Sequence, residues 1–294
     1  MILLKPSAVL EAGPHRFSAM ETIEKAGRTC YKSDEKHEVA VQKLIDDPSF
    51  CPELIQGQEG CDEDDRFMNE NGRLVRANLQ VAEDFVRSII KRGHESVLEH
   101  VGWTVRFICD RGVSHELVRH RLCAFSQEST RYVDYAGTKT DGHCQFIIPP
   151  WVDIEPGIWT REPRECADAI QQQTPKDAEA IPWWKHDGAW ANFDCDYPIS
   201  AAKEWRRAML HAERSYQTLR QCGWSPQQAR SVLPNSTKTE IVATANAREW
   251  RHILKLRLSK AAHPQMREVM AMAAMELIGR APVLFESILQ EDAS

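Results

Sequence analysis

The spacing of apolar residues predicts several helices along the chain. Between Leu74 and Lys91 they recur every three or four positions, which places them on one face of a helix, and Gly93 follows as a typical C-terminal stop. The same spacing predicts a second long helix over Ser200–Cys222 and a third over Pro264–Ile278. Shorter helices are predicted over Arg16–Ala26, over Val113–Arg121 with the RHR run on its last turn, over one to two turns after Ser225, and from Ala247 onward.

Alternation of apolar and polar residues predicts strands between these helices. The clearest alternation runs from Val101 to Phe107, where every second residue is large and apolar, as in a half-buried strand. Residues 2–11 and 238–244 are predicted to be strands as well. We expect the core to include His100, Trp103 and Trp250.

Together these elements predict an α+β fold. We expect a single domain over residues 1–294 with a central, mostly antiparallel sheet flanked by long helices. Two segments fit this plan poorly. Residues 33–68 contain an acidic, aperiodic run at Gly57–Arg66, and residues 137–196 hold five tryptophans among prolines and acids with weak periodicity. We interpret both as inserted segments.

Composition narrows the class of protein. The 294 residues are 42% hydrophobic and 27% charged, as in ordinary globular proteins, and no run approaches the roughly 18 apolar residues that span a bilayer. The first residues lack the charged start and long apolar core of a signal peptide. A net charge of −6 argues against broad attraction to nucleic acid, so we expect neither a nucleic-acid nor a membrane partner. The nine cysteines include no CxxC pair, which favours a reduced, cytoplasmic protein.

The stretch Arg119–Tyr132, RHRLCAFSQESTRY, concentrates polar chemistry. Its three arginines form planar forks that bind phosphate or carboxylate with two hydrogen bonds, and its serines and glutamine add donors for the same anion. The stretch therefore favours a phosphate-bearing small molecule as ligand. An exposed basic helix end that pairs with nearby acids explains the same composition.

A second polar cluster lies in Asn246–Arg257, NAREWRHILKLR. On a helix capped by Asn246, Arg248 and His252 are four residues apart and share a face. An amphipathic surface helix with its basic residues outward is the alternative. Two dense arginine groups in an acidic protein nevertheless suggest an anionic ligand held between them.

The order of these motifs resembles that of the flavin-dependent thymidylate synthases. The run RHR at 119–121, followed by Ser129 and then by Arg131-Tyr132, is similar to the signature of that family. HESVLEH at 94–100 precedes it at a similar distance, and ARSVLP at 229–234 and TANAREWRHILKLR at 244–257 follow in the same order. The resemblance extends mainly over residues 1–32, 71–135 and 198–288.

The resemblance implies reductive methylation of dUMP to dTMP. Methylenetetrahydrofolate would supply the carbon, FAD would carry hydride, and NADPH would re-reduce the flavin. The small-molecule partners are then dUMP and folate. The family forms its active sites from several subunits of a homotetramer, so we expect a homotetramer with shared sites. That assembly explains why no glycine-rich GxGxxG loop precedes either cluster.

The resemblance also assigns roles position by position. Arg257 is expected at the pyrimidine, where it would favour ionisation at N3 and so activate C5, and His94 is expected to line the flavin and substrate site. FAD contacts are expected from Ser96, Arg119, His120, Arg121, Gln127, Asn246, Ala247, Arg248 and His252. Nucleotide contacts are expected from Glu116, Leu117, Val118, Arg119, Gln127, Glu128, Ser129, Thr130, Arg131, Arg230 and Arg257.

Four of the matching positions differ from residues common in the family. Ala124 stands where many members have serine, and Gln127 where some have glutamate. Glu116 stands where many have glutamine, and His252 where some have asparagine. We expect these differences to affect individual hydrogen bonds more than the activity.

Three other functions would use some of the same residues. Cysteine-dependent uracil methylation needs a thiolate, for which Cys109 and Cys123 are candidates without a recognisable histidine–acid arrangement. A nucleotide- or RNA-binding protein without catalysis would use the arginines and stack bases on tryptophans. A metal enzyme would need a short ligand pair, and we expect no metal because the candidates lie on different elements. Those candidates are His94, His100, His115 and His120.

Overall fold

The computed structural model describes residues 1–47, 49–50, 70–159 and 201–291. Contacts divide the chain into two compact units. The smaller unit consists of residues 1–5 and 128–238, and the larger unit of residues 6–127 and 239–294. Within the described ranges, no helix is both long and apolar enough to cross a membrane.

The described helices and strands account for most of the predicted elements. The helices are α1 Arg16–Tyr31, α2 Glu35–Asp46, α3 Glu70–Lys91, α4 Arg111–Leu117, α5 Ala201–Gln221, α6 Pro226–Ala229, α7 Ala247–Leu258, α8 Pro264–Arg280 and α9 Pro282–Glu291. The strands are β1 Ile2–Leu4, β2 Ser7–Ala12, β3 Gly102–Asp110, β4 Ala124–Gln127, β5 Gln145–Ile147, β6 Gly157–Ile158 and β7 Lys238–Asn246. Short 3₁₀ helices cover Glu95–His100, Thr138–Thr140 and Arg230–Val232.

The larger unit is built on a four-stranded sheet in the order β2-β3-β7-β4. Strand β2 runs antiparallel to β3, with Leu10 opposite Val105, and β4 runs antiparallel to β7, with Gln127 opposite Ile241. Along β3 the buried residues alternate as predicted, so one face of the strand packs into the core. The predicted α+β fold, with a mostly antiparallel sheet and flanking helices, is confirmed. The extent of one domain over residues 1–294 stays a prediction.

Two tryptophans form the centre of the larger unit's core. Trp103 and Trp250 are fully buried, and the indole Nε1 of Trp250 donates to the backbone oxygen of Trp103 at 2.9 Å. The prediction that His100 is also a core residue is wrong, because its side chain is exposed. His100 ends the 3₁₀ helix before β3, so it lies outside the alternation that buries Trp103.

The smaller unit has its own sheet and apolar core. Strand β1 lies between β5, to which it is parallel, and β6, to which it is antiparallel. Its cluster of buried residues includes Leu3, Phe146 and Tyr216. The long helix α5 matches the predicted helix over Ser200–Cys222.

Three predicted elements have different bounds in the structure. The predicted strand over residues 2–11 is two strands separated at Pro6, which has no N–H to donate to a sheet. The helix predicted over Arg16–Ala26 continues to Tyr31 and ends at Lys32, whose φ of 47° is left-handed. The helix that was expected to carry RHR ends at Leu117, so RHR lies in the turn that follows.

The two predicted insertions contain regular structure where they are described. Residues 33–68 include α2, which packs on α3 through an apolar cluster around Val41. Residues 137–196 include β5 and β6, which are two of the three strands in the smaller unit's sheet. The acidic run Gly57–Arg66 and residues 160–196 lie outside the described residues.

Candidate functional site

Two capped helices position the main polar cluster of the larger unit. Asp110, at the end of β3, caps α4 by accepting from the amide of Val113 at 2.7 Å. Asn246, at the end of β7, caps α7 by accepting from the amide of Glu249 at 2.9 Å, as its sequence position predicted. Both helices therefore start at sheet strands, and their last turns carry Glu116 and Arg257.

Arg257 is held by three hydrogen bonds. Its Nε donates to Nε2 of His120 at 3.0 Å, and its Nη1 donates to Oε2 of Glu116 at 2.9 Å. Its Nη2 donates to the backbone oxygen of Glu116 at 3.0 Å, which satisfies a carbonyl at the C-terminal end of α4. The structure thus brings together three of the predicted site residues. The three hydrogen bonds orient the guanidinium. Because only 16% of the Arg257 side chain is exposed, the guanidinium is also partly shielded from water.

His120 is a buried, neutral imidazole in this arrangement. Because Arg257 donates to Nε2, that nitrogen accepts, and the proton of the neutral ring lies on Nδ1. Nδ1 is 3.7 Å from a carboxylate oxygen of Glu249. Burial first, and then the neighbouring Arg257 and His252, lower the pKa of His120 to about 4.

A metal ion is a poor match for this cluster. His120, Glu249 and His252 each present a ligand atom, and these atoms lie within 4.8 Å of one another. A metal ion coordinated by Nε2 of His120 would displace Arg257 from that nitrogen. A metal ion coordinated by Nδ1 would instead leave the ring proton on Nε2, where it would face the N–H of Arg257. The permanent charge of the guanidinium also repels a cation. The cluster is better suited to an anionic or hydrogen-bonding ligand.

The neutral state of His120 predicts a pH-dependent stability. The unfolded chain binds a proton at the ordinary histidine pKa of 6.5, whereas the folded chain binds it only near pH 4. Between these values protons favour the unfolded state, so the free energy of unfolding should decrease as the pH falls from 6.5 towards 4. Urea titrations at several pH values measure this decrease. The His120→Gln variant should lose the part of this decrease that is due to His120. If the free energy of unfolding changed equally with pH in both proteins, a neutral His120 would be the wrong assignment.

Five of the nine residues predicted to bind FAD have exposed side chains: Ser96, Arg119, Arg121, Arg248 and His252. Arg248 is about half exposed and donates to Glu99 at 2.6 Å, and this hydrogen bond raises the pKa of Arg248. His252 is exposed, with its ring edge-on to His120 at 6.1 Å between centroids. Arg119, Arg121 and Ser96 are also exposed. This set of guanidinium, imidazole and hydroxyl donors fits a cofactor that carries phosphates.

Three of the predicted contact residues serve the fold in the structure. The buried amide of Ala247 donates to the backbone oxygen of Val101 at 2.8 Å. The side chain of Gln127 donates to Ser114 at 2.8 Å and to Thr239 at 3.2 Å, and Asn246 is used as a helix cap. Leu117 is fully buried, whereas Val118 is exposed.

The remaining predicted nucleotide contacts lie in the smaller unit. Arg230 donates to the buried hydroxyl of Thr130 at 3.1 Å, and Lys238 pairs with Glu128 at 3.0 Å. Ser129 accepts from the amide of Arg131 at 3.3 Å. The side chains of Arg131 and Arg230 are exposed, so their guanidinium groups are accessible to an anion.

The two candidate cysteines, Cys109 in β3 and Cys123 within Arg119–Tyr132, do not support a thiolate nucleophile. Burial raises the pKa of Cys109 to about 12. Burial, and then the charge of Glu249, raise the pKa of Cys123 to about 12 as well. Both cysteines are therefore protonated thiols near neutral pH, whereas the nucleophilic form of cysteine is the thiolate.

Several partners of the predicted residues were missed in the sequence. Glu249 faces His120 and lies three residues before His252, a spacing that places both on one side of a helix. Glu99 pairs with Arg248 across two elements, and no local pattern indicates that pair. Tyr31 likewise meets His94 through tertiary folding, with its hydroxyl 2.5 Å from Nδ1.

Comparisons with known proteins agree on one family. The sequence model described as "Thymidylate synthase complementing protein" matches residues 15–283. A flavin-dependent thymidylate synthase of Mycobacterium sp. (strain JLS) is 32% identical over 206 residues, which cover 68% of each chain. One of Corynebacterium aurimucosum is 27% identical over 259 residues, which cover 85% of this chain and 90% of that one.

A solved structure supports the fold independently. The UMP/dUMP methylase PolB from Streptomyces cacaoi, bound with 5-Br dUMP, superposes with a TM-score of 0.59 at 19% sequence identity. The similarity covers 99% of this chain and 97% of the methylase.

Proposed function

This chain belongs to the thymidylate synthase complementing protein family, the family of the flavin-dependent thymidylate synthases, and we propose that it converts dUMP to dTMP by reductive methylation. Its relatives are named as flavin-dependent enzymes, which supports a flavin cofactor. The hydrogen-bonded arrangement around Arg257 carries the proposal, because it holds a permanent cation in a fixed orientation, and such a group stabilises a developing pyrimidine anion.

We propose FAD as the flavin, methylenetetrahydrofolate as the carbon donor and NADPH as the reductant. When bound, the flavin supplies hydride chemistry that no side chain can perform. The exposed cations Arg119, Arg121 and Arg248 would hold its phosphates, with His252 beside them. Arg131 and Arg230 are the accessible cations proposed to bind the phosphate of dUMP.

Arg257 would act on the pyrimidine ring. Its guanidinium stays charged at every working pH and presents planar donors, so it stabilises negative charge that develops on the ring when N3 ionises. His120 accepts from Nε and thereby keeps the plane of the guanidinium fixed. A donor that is fixed in advance needs no reorganisation during the reaction, which is why such contacts contribute strongly to catalysis.

We also propose the family's homotetramer with shared sites. Two large apolar side chains are exposed within Arg119–Tyr132, which favours their burial against another copy of the chain. Leu122 is 76% exposed in the larger unit, and Tyr132 is 82% exposed in the smaller unit.

Release of tritium from 5-tritiated dUMP tests the proposed reaction. With methylenetetrahydrofolate, FAD and NADPH present, we expect tritium in water and an equal amount of dTMP, because methylation replaces the hydrogen at C5. Omitting methylenetetrahydrofolate provides the control for dTMP formation. Folded, flavin-loaded protein that forms no dTMP would refute the proposal, and salt-sensitive RNA binding without affinity for dUMP would favour a binding protein instead.

A further inference from the structure

A buried hydroxyl in the smaller unit contacts one of the two arginines that are proposed to bind the phosphate of dUMP. Oγ1 of Thr130 accepts from Nη1 of Arg230 at 3.1 Å. Thr130 is only 5% exposed, whereas the side chain of Arg230 is exposed. Thr130 was expected to contact the nucleotide itself, yet its side chain offers a ligand almost no surface. A contribution of this side chain to binding therefore has to act through Arg230.

This hydrogen bond joins two backbone segments that are each held in place. The backbone oxygen of Ser129 accepts from the amide of Val133 at 3.0 Å, which closes a turn around Thr130. The backbone oxygen of Arg230 accepts from the amide of Leu233 at 3.1 Å, within the short 3₁₀ helix that Arg230 begins. The hydroxyl is therefore a fixed acceptor, and the contact with it restricts the rotamers of a long side chain that would otherwise be mobile.

The charge of Arg230 remains available to a ligand. Within the described residues Arg230 makes no ion pair, whereas Lys238 of the same unit pairs with Glu128 at 3.0 Å. The hydroxyl of Thr130 is an uncharged acceptor, so it orients the guanidinium without neutralising it. It engages one of the five N–H groups of the guanidinium and leaves four, and such groups bind phosphate oxygens through two parallel hydrogen bonds.

We propose that Thr130 is a positioning residue, whose buried hydroxyl orients the guanidinium of Arg230 for the phosphate of the nucleotide. This inference rests on the proposed function, in which Arg230 binds the phosphate of dUMP. An exposed arginine without such a contact loses side-chain freedom when it binds an anion, and this loss weakens the complex. The hydroxyl removes part of that freedom in advance. Because the phosphate takes no part in methyl transfer, the effect is on affinity and leaves the chemical step unchanged.

The Thr130→Val variant tests this role, because it replaces the hydroxyl by a methyl group of similar size. In the flavin-loaded protein, Kd and KM for dUMP should rise about three- to tenfold. The value of kcat should stay within about twofold, because the lost interaction is made equally in the ground state and the transition state. Equilibrium dialysis with carbon-14-labelled dUMP measures Kd, and the rate of dTMP formation gives KM and kcat.

Two further substitutions at this position separate the hydroxyl from the shape of the side chain. Thr130→Ala also lacks the hydroxyl and should show the same rise in Kd, so the test does not depend on how well valine is accommodated. Thr130→Ser keeps the hydroxyl and should bind dUMP within about twofold of the wild type. Thermal melting confirms that each variant is folded.

A double-mutant cycle shows whether Thr130 acts through Arg230. Arg230→Ala should weaken the binding of dUMP, and adding Thr130→Val should then change Kd by less than about twofold, because the partner of the hydroxyl is already gone. Thr140→Val is the matched control. Thr140 is 6% exposed, and its hydroxyl donates to the backbone oxygens of Asp134 and Gly137, both at 3.3 Å. Removing this second buried hydroxyl should leave Kd for dUMP unchanged.

The possible outcomes are distinguishable. An unchanged Kd in Thr130→Val and Thr130→Ala overturns the inference while the proposed function stands. An effect of Thr130→Val that is equally large in the Arg230→Ala background overturns it as well, because Thr130 would then act independently of Arg230. If Arg230→Ala binds dUMP as tightly as the wild type does, the proposed role of Arg230 is wrong and the inference fails with it. Wild-type protein that binds flavin and forms no dTMP overturns the proposed reaction itself.

Discussion

Replacing Arg257 with alanine is expected to lower kcat for dTMP formation by about two to three orders of magnitude while most of the flavin stays bound. The substitution removes the fixed cation proposed to stabilise the developing pyrimidine anion. The variant keeps the cations that are proposed to bind the flavin phosphates. Two of them, Arg119 and Arg248, make no hydrogen bond to Arg257 in the described part of the chain. A lysine at position 257 should recover only part of the rate, because a single ammonium cannot make the three directed contacts of the guanidinium.

Steady-state rates and the flavin absorbance of the purified variants measure the two effects separately. Arg207→Ala is a suitable control, because Arg207 is about half exposed and pairs with Glu204 on the surface of α5. It should change neither kcat nor flavin content. If Arg257→Ala instead lost its flavin, the residue would belong to the cofactor site and its proposed role at the pyrimidine would be wrong.

Local patterns in the sequence predicted the elements that carry the site. The helical spacing before Lys91 corresponds to α3, and the alternation after Val101 corresponds to β3. Asn246 caps α7 as predicted, because a cap depends on residues within one turn. These features follow from short-range periodicity and hydrogen bonding, which a single sequence contains.

The turn that carries RHR could not be predicted in the same way. Apolar spacing extends α4 to Arg121, yet the helix ends at Leu117 and tightens into a turn, where the amide of Arg119 bonds to Glu116 at 3.2 Å and that of His120 to Leu117 at 3.2 Å. The carbonyl of Glu116 also accepts from Arg257, which lies far away in the sequence. A tertiary contact therefore stabilises this end of the helix, and it leaves His120 buried rather than on a solvent-facing turn.

The candidate site shows the same division between local and tertiary information. The motif resemblance named Arg257, His120 and Glu116, and the structure places them in contact. It did not name Glu249, because the partner of a buried histidine is determined by how α7 packs against the RHR turn. Similarly, nothing local indicated that Gln127 binds Ser114 and Thr239 of its own fold.

Replacing Trp250 with alanine is expected to destabilise the protein by about 3–5 kcal/mol. The side chain is fully buried, its ring packs 6.4 Å from that of Phe107, and its Nε1 donates to the backbone oxygen of Trp103. Removing it creates a cavity between α7 and β3 and deletes this hydrogen bond. Because α7 also carries Arg257, a shift of this helix would move the guanidinium, so activity should fall even below the unfolding transition.

Urea denaturation monitored by circular dichroism measures the loss of stability, and dTMP formation at low temperature measures the displacement of Arg257. Trp224→Ala is the matched control, because that side chain is 43% exposed and its removal should therefore cost clearly less than that of the fully buried Trp250. Trp250→Phe keeps most of the volume and lacks the Nε1 donor, so it should fall between the wild type and Trp250→Ala. A Trp250→Ala variant as stable as Trp224→Ala would show that the packing of α7 on β3 does not hold the site in place.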